Sequence, residues 1–434
     1  MRTSFTPEQL ADPETAASQT AIRKCVHCGF CTATCPTYVL LGDERDSPRG
    51  RIELIREMLE RGGAPSPSTV THVDRCLSCL ACTTTCPSGV DYAQLIDHAR
   101  AHIEEHHVRP WHERQIRRLI PAILTRPRRL ALALAAGRLA RPLEPTLRRL
   151  NLAPLAALLR LVPPRQPKPS PARFFAAAGK KRGRVILLQG CVEPAMAPQI
   201  RAAAIRLITR AGYEVMLTDG EGCCGALSQH LGRADEARAM ARTNAAAWAA
   251  AGKVDAIVTT AAGCGTMLKS YGRLIGKEGA PAARRTKDVL EFIAEVGLPP
   301  VMKAHAMSVA YHAACSLQHG QQIKTAPLAL LAEAGFDVRL VPEGHLCCGS
   351  AGVYNILQPE LATQLRDRKA ANIAGTGAAV VAAGNVGCMA QLAPALDAPV
   401  VHPVELLDWA TGGPKPAALM APEAVIKPRA ARVE

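Results

Sequence analysis

The sequence predicts an α plus α/β architecture, in which a helical cysteine-rich domain is followed by two repeated parallel α/β domains. Three observations carry this. Eight cysteines fall in two copies of C-x2-C-x2-C-x3-C-P, with a helical hydrophobic period between them. Eight further cysteines recur at a constant offset of 124 residues. Around that second set, short β-rich runs alternate with longer helical ones, the pattern of a parallel sheet with crossover helices.

The first motif copy is Cys25, Cys28, Cys31, Cys35 and Pro36; the second is Cys76, Cys79, Cys82, Cys86 and Pro87. This is the spacing with which two-cluster ferredoxins hold [4Fe–4S] cubanes. Three cysteines three residues apart can wrap one cage, while the fourth, followed by proline, leads away to the other cluster. The expected ligand sets are Cys25, Cys28, Cys31 and Cys86 for one cubane, and Cys76, Cys79, Cys82 and Cys35 for the other. Structural zinc uses two separated pairs with a longer gap. A disulfide framework suits a short secreted chain; this one has 434 residues, and Met1 to Gln19 contain no apolar signal-peptide core. Oxygen-sensitive clusters and reduced thiols imply the cytoplasmic side.

Between the motif copies, Ile52, Ile55, Met58 and Leu59 follow the helical period. Ser47-Pro48 supplies an N-cap with proline at the first position, and Gly62-Gly63 ends the helix. A second helix follows Val90. The domain spanning 20–108 is thus expected to be a helical two-[4Fe–4S] ferredoxin-like domain rather than a βαββαβ fold.

The net charge of +15 is unevenly spread. Between Arg109 and Arg165 stand thirteen Arg against Glu113 and Glu144, with no Lys or Asp. Leucine and isoleucine recur among them: Ile116, Leu119, Ile120, Ile123, Leu124, then Leu130, Leu132, Leu134, then Leu152, Leu155, Leu158, Leu159 and Leu161. Short basic amphipathic helices broken by prolines suit a peripheral membrane surface, where each basic side chain contributes about 1 kcal/mol. Docking to a partner is the other reading. Without interleaved aromatics or a known module, no nucleic acid is expected as a partner. Together with the proline-rich linker from Val162 to Pro171, this makes a segment over 109–183. No apolar run is long enough to span a bilayer.

The second set of cysteines is Cys191, Cys223, Cys224 and Cys264, repeated as Cys315, Cys347, Cys348 and Cys388. Four equal offsets make residues 184–300 and 301–412 two copies of one unit. Copy one reads as strand 185–188, helix 200–211, strand 214–218, helix 234–251 and strand 256–259. Copy two has strands around 309–311, 337–341 and 378–381, then strand 399–402 and helix 404–410. A Pro/Ala tail follows, expected to be unstructured. Each cysteine comes just after a strand, so three loops at one sheet edge deliver four thiols to one place in each copy.

This grammar resembles the cysteine-rich "CCG" domain of heterodisulfide reductase subunits and of related partners of flavin dehydrogenases. Two ferredoxin motifs followed by two CCG domains resemble the iron–sulfur subunits of glycolate oxidases. The strings Cys31-Thr32-Ala33-Thr34-Cys35-Pro36, Ser47-Pro48-Arg49-Gly50-Arg51-Ile52, Gly222-Cys223-Cys224-Gly225, Gly263-Cys264-Gly265, Ser316-Leu317-Gln318-His319 and His345-Leu346-Cys347-Cys348-Gly349-Ser350 agree with it. The resemblance implies an electron-transfer subunit of a flavin-dependent 2-hydroxy-acid (glycolate) dehydrogenase. Its partners would be flavin-containing dehydrogenase subunits and a membrane quinone, on the inner face of the cytoplasmic membrane. Alternatives are the iron–sulfur subunit of a lactate or glycerol-3-phosphate dehydrogenase, or a heterodisulfide-reductase-like thiol/disulfide reductase. Full CCG motifs end in C-x2-C, and here that last position is Met267 or Gln391, which disfavours disulfide chemistry. Four thiols per copy suit a further [4Fe–4S] cluster, a zinc ion or no permanent occupant, and the three stay open.

Other signals are weak. His98, His102 and His106 recur at i, i+4 and i+8, a solvated helix face in the absence of a completing ligand. Gly375-Thr376-Gly377 precedes a strand and is a turn. No nucleotide or nucleophile motif is present, so no catalytic residue is expected and the chain alone should not be catalytic.

Overall fold

The computed structural model describes residues 1–149, 159, 162–163 and 170–420. The Leu152–Leu161 stretch apart from Leu159, most of the proline-rich linker, and the tail beyond residue 420 lie outside the described residues.

The N-terminal region is helical. Helices Pro13–Lys24, Pro48–Arg61, Pro67–Asp74 and Tyr92–His106 enclose a core of Ile22, Ile55, Val73, Leu95, Ile96 and Ile103. The central helix starts and stops where its sequence dictates. Ser47 Oγ accepts the Gly50 N–H at 3.0 Å, and Gly62, at φ 68°, ends it in a conformation that a side chain would resist. One side chain on its buried face departs from the apolar period: Arg51, only 1% exposed.

The remainder is two parallel α/β units. The first sheet comprises β1 (Phe174–Phe175), β2 (Gly183–Leu187), β3 (Tyr213–Met216), β4 (Ala256–Thr259) and β5 (Thr286–Asp288) in the order β1-β3-β2-β4-β5. Only β1 is antiparallel. The second comprises β6 (Ser308–His312), β7 (Asp337–Leu340), β8 (Val380–Ala383) and β9 (Val400–Val401), ordered β7-β6-β8-β9. Strand for strand the two share one topology, with β1 added at one edge of the first. The repeat runs past the last cysteine. Asp288 and Glu291 form a capping box on helix Val289–Val296, as His402 and Glu405 do on helix Pro403–Ala410. The offset shortens there because copy one inserts helices Tyr271–Ile275 and Ala280–Arg285.

The two units share one continuous core, in which Val185, Leu207 and Val258 of the first join Val309, Leu331 and Val381 of the second. An ionic clamp closes the same seam. Asp408, 1% exposed, accepts from Arg206 Nη2 at 2.6 Å and Arg210 Nη2 at 2.5 Å. The arginines are partly exposed while the carboxylate is not. Removing the cations should therefore cost more than neutralising the anion, because a buried charge would be left unpaired. Replacing Arg206 and Arg210 together by Ala is expected to destabilise the α/β region by about 3–5 kcal/mol. Adding Asp408→Asn to that pair should recover part of the loss. Denaturant unfolding of the metal-loaded chain, followed by circular dichroism, checks both.

Candidate metal centres

The ferredoxin cysteines sit in loops that curl around two cavities. In both motif copies, the residues two and four after the first cysteine are left-handed: His27 (φ 55°) and Gly29 (φ 85°), then Ser78 (φ 50°) and Leu80 (φ 62°). Three of these four carry side chains, which costs energy in this region and persists where surroundings dictate it. The result is a loop that aims its thiols inward. One cavity is lined by Cys25, Cys28, Cys31, Cys82 and Cys86, the other by Cys35, Cys76, Cys79 and Cys82. Each cavity thus receives the last cysteine of the opposite motif, and Cys82 lies between them.

The donor set fits iron–sulfur clusters. Ser78 N–H and Tyr92 O–H approach Cys76 Sγ at 3.4 and 3.8 Å, and Arg51 Nη1 approaches Cys35 Sγ at 3.7 Å. Burial pushes the Cys79 and Cys82 thiols well above their usual range, so their ionisation needs a compensating cation. Arg51 supplies one such charge. Burial works against its protonation, but Cys76, Tyr92, Cys35 and Asp46 hold it up. Its guanidinium also donates to His72 O at 2.6 Å and Thr37 Oγ1 at 2.9 Å, and pairs with Asp46 at 3.1 Å. Position 51 lies one turn before Ile55 on the buried stripe, and that placement was its signal in the sequence. The nearby group Asp43, Asp46 and His72 has metal-like spacing, yet Asp46 is already neutralised by Arg51 and Arg75.

Each CCG unit gathers its four thiols at the sheet edge. In copy one, Cys191 and Cys223 approach to 3.4 Å, as do Cys224 and Cys264. Cys223 is drawn well below the usual thiol range because Cys191 and then Cys224 donate to it. In copy two, Cys315 and Cys347 lie 3.8 Å apart, and Cys348 and Cys388 sit within 4.8 Å of each other and of a His312 ring nitrogen. Glycine is required at equivalent points of the two loops. Gly225 and Gly349 have φ of 90° and 84°, and an added Cβ would stand 3.2 Å from Ala237 O and 2.5 Å from Ala362 O. Cys264 and Cys388 lie on helices Ala262–Lys269 and Val386–Leu392 rather than in loops. Met267 packs in the core beside the copy-one cysteines, and Gln391 bonds Asn355 and Ala362 O.

The two kinds of site meet. Cys79 packs in one apolar cluster with Cys315 and Cys347, and Thr84 Oγ1 lies 2.7 Å from His319 Nδ1 across the same contact. The three histidines of helix Tyr92–His106 do not meet at one point: His98 pairs with Ser18, while His102 contacts Gly63 O and stacks on His106 with ring centroids 4.2 Å apart.

The Arg-rich segment forms helices Trp111–Leu124, Pro127–Ala140 and Glu144–Arg149. Pro121 does not break the first, since it falls in the last turn, where one hydrogen bond is lost. Arg109 and Arg117 are buried, both paired with Asp74 and Glu113. Arg114, Arg118, Arg126, Arg128 and Arg129 are exposed. So are Trp111 (71%), Leu119 (56%), Leu132 (72%), Leu139 (84%) and Leu143 (57%). Among the described residues, no helix is long and apolar enough to cross a membrane.

Comparison with known proteins agrees with this anatomy. Residues 21–90 match the 4Fe-4S dicluster domain, and 185–269 and 309–393 each match the cysteine-rich domain CCG. The chain is similar to the glycolate oxidase iron-sulfur subunit of Escherichia coli (strain K12), 38% identical across 94% of this chain and 99% of that one. It is also similar to the probable glycolate oxidase iron-sulfur subunit of Bacillus subtilis (strain 168), 30% identical across 85% and 87%. Lactate utilization protein A of Bacillus pumilus (strain SAFR-032) is 25% identical, over 52% of this chain and 99% of that protein. With both iron–sulfur cysteine sets in place and near-complete coverage of these relatives, the chain belongs to the glycolate oxidase iron–sulfur subunit family, an electron-transfer component carrying [4Fe–4S] clusters.

Proposed function

We propose that this chain carries electrons from a flavin-containing dehydrogenase subunit, which oxidises a 2-hydroxy acid such as glycolate, toward a membrane quinone. The observation that carries this reading is the pair of cysteine-lined cavities that share Cys82, with Cys79 packed against the thiols of the second CCG unit. On this reading Cys25, Cys28, Cys31 and Cys86 hold one cluster, and Cys76, Cys79, Cys82 and Cys35 the other. When bound, each cluster supplies one-electron chemistry. The chain's own residues fix the thiols, exclude water with Ile52, Val90 and Tyr92, and place the buried Arg51 cation beside Cys35 and Cys76. Working domain boundaries are 20–108, 109–183, 184–300 and 301–412.

We further assign the Arg-rich helices to the inner face of the cytoplasmic membrane. Exposed Trp111, Leu119, Leu132 and Leu139 stand among exposed arginines on helices whose other side is already packed, by Ile120 and by Leu130 with Leu134. That combination suits an anionic interface. A lipid-dissolved acceptor also requires a water-soluble complex to touch the bilayer.

Three outcomes follow. The purified chain alone should not reduce a dye with glycolate, and adding the flavin subunits should restore activity; glycolate-dependent dye reduction by the isolated chain would overturn the assignment. Replacing Arg114, Arg118, Arg126, Arg128 and Arg129 by Gln should release the complex from vesicles containing phosphatidylglycerol, since each charge contributes about 1 kcal/mol. Dye-linked activity should survive, and rising salt should mimic the effect. Finally, removing the buried cation should make the adjoining site harder to reduce. Arg51→Met, which leaves Asp46 paired with Arg75, should lower that potential by about 60 mV for each tenfold loss of stabilisation of the reduced form. Redox titration monitored by electron paramagnetic resonance reads it.

A further inference from the structure

The two CCG copies share one topology, but they do not present the same groups to their thiols. Leu188 follows β2 in copy one and is packed with Cys191, Cys223 and Cys224. Its counterpart in copy two is His312, the last residue of β6, 2% exposed. Neither ring nitrogen of His312 has a hydrogen-bond partner. A buried imidazole with both nitrogens unsatisfied loses its hydration with nothing in return, so it calls for a ligand. What it faces is sulfur: one ring nitrogen, Cys348 Sγ and Cys388 Sγ lie within 4.8 Å of one another, and all three residues are buried. Three separate elements converge there. They are the end of β6, the loop after β7 and the helix after β8.

A second difference points the same way. Lys369 in copy two is 2% exposed, and it replaces Ala245 of copy one. Its ammonium donates to Glu343 O at 2.6 Å, while the Glu343 carboxylate is engaged by Arg368 and Asn372. A buried ammonium needs a nearby negative charge. Cys348, Cys347, the Glu343 carboxylate and Cys315 are the groups near it that can supply one. Thiolates bound to a metal carry net negative charge, and they balance this lysine in a way that neutral thiols do not. Asn385 adds a donor to Cys388 Sγ at 3.6 Å, and the matching residue of copy one is Ala261.

We propose that His312 is a metal ligand, forming with Cys348, Cys388 and one thiol of the adjoining pair Cys347 and Cys315 a four-donor imidazole–thiolate centre that exists in the second CCG unit and has no equivalent in the first. This donor set suits a borderline thiophilic metal, either zinc or the iron of an iron–sulfur cluster. The proposal concerns the chain's own donors and stands apart from the glycolate assignment; loss of one leaves the other untouched.

The test uses the full chain, purified without oxygen, and His312→Leu. Copy one carries leucine at this position, so the fold accepts it. In wild type, metal analysis is expected to find content beyond that of the two ferredoxin clusters, either about one zinc or about four irons per chain. In His312→Leu that excess should fall about tenfold or more, with the ferredoxin signals and the unfolding profile unchanged. His312→Cys, which restores a donor, should retain the metal. With 15N-histidine labelling, a zinc centre should show a nitrogen scatterer in X-ray absorption. A paramagnetic iron centre should show a 15N coupling. Wild type with no metal beyond the ferredoxin clusters, full retention of the excess in His312→Leu, or an all-sulfur signature in wild type overturns the proposal. Should His312→Leu fail to fold, the spectroscopic measurement on labelled wild type decides alone.

Discussion

Buried thiols close together resist ionisation, and the rest of this molecule is organised around that constraint. A thiolate at one position raises the cost of a thiolate at the next, and burial raises it further. Cys79 and Cys82 show both effects, each pushed up by burial and by neighbouring cysteines. Such a site ionises beside positive charge, from metal or from protein, or where neighbouring thiols donate to it, as at Cys223. The protein's share is small and well placed. Arg51 stands between the two ferredoxin loops and Lys369 beneath the second CCG thiols, both almost wholly buried. These cations would be liabilities in an ordinary core, where unpaired charge is expensive. Next to negatively charged centres such cations are stabilising, and beside a redox cluster a cation favours the reduced form.

The duplication shows which features the fold needs and which a site needs. Strand order, the left-handed glycines at 225 and 349, and the capping boxes after β5 and β9 occur in both copies. They shape the sheet edge so that loops can deliver cysteines. Leu188 against His312, Ala245 against Lys369 and Ala261 against Asn385 differ. Each of these changes puts a polar group into copy two where copy one is apolar. Random drift in a core tends to keep side chains apolar, because an unsatisfied polar atom is costly. Three polar replacements around one set of thiols therefore point to different chemistry at the two sites.

Much of this was legible in the sequence because cysteine spacing is a strong constraint. The four equal offsets located the repeat, and alternating strands and helices located the sheets to within a few residues. The rest is hidden in the sequence for identifiable reasons. Arg51 stands among Arg49, Glu53 and Arg56 at the start of a helix, and His312 ends a short apolar run, so neither is set apart by a pattern of hydrophobicity. β1 is two residues long and pairs only because β3 offers an edge. β5 carries Lys287 and Asp288, so its composition does not read as a strand. Pro121 looked like a helix break, yet its place in the final turn left the helix whole.

The Arg-rich segment shows how one composition serves two purposes. Arg109 and Arg117 turn inward, where Asp74 and Glu113 neutralise them and pin the first helix to the ferredoxin domain. Ile120 packs with Leu231 and Val353, one from each CCG unit, so this helix bridges all three folded regions. Leu130 and Leu134 pack with Met196 and with Val192, which follows Cys191 directly. The helices are thus braced on their inner side by specific contacts, and their outer side is left with arginine and bare apolar side chains. A charged surface needs no tryptophan or leucine for solubility, and exposed apolar groups without arginine would promote aggregation. Both together, on helices whose inner side packs on Val192 next to Cys191, give one element an amphipathic outer face and a buried contact beside the first CCG thiols.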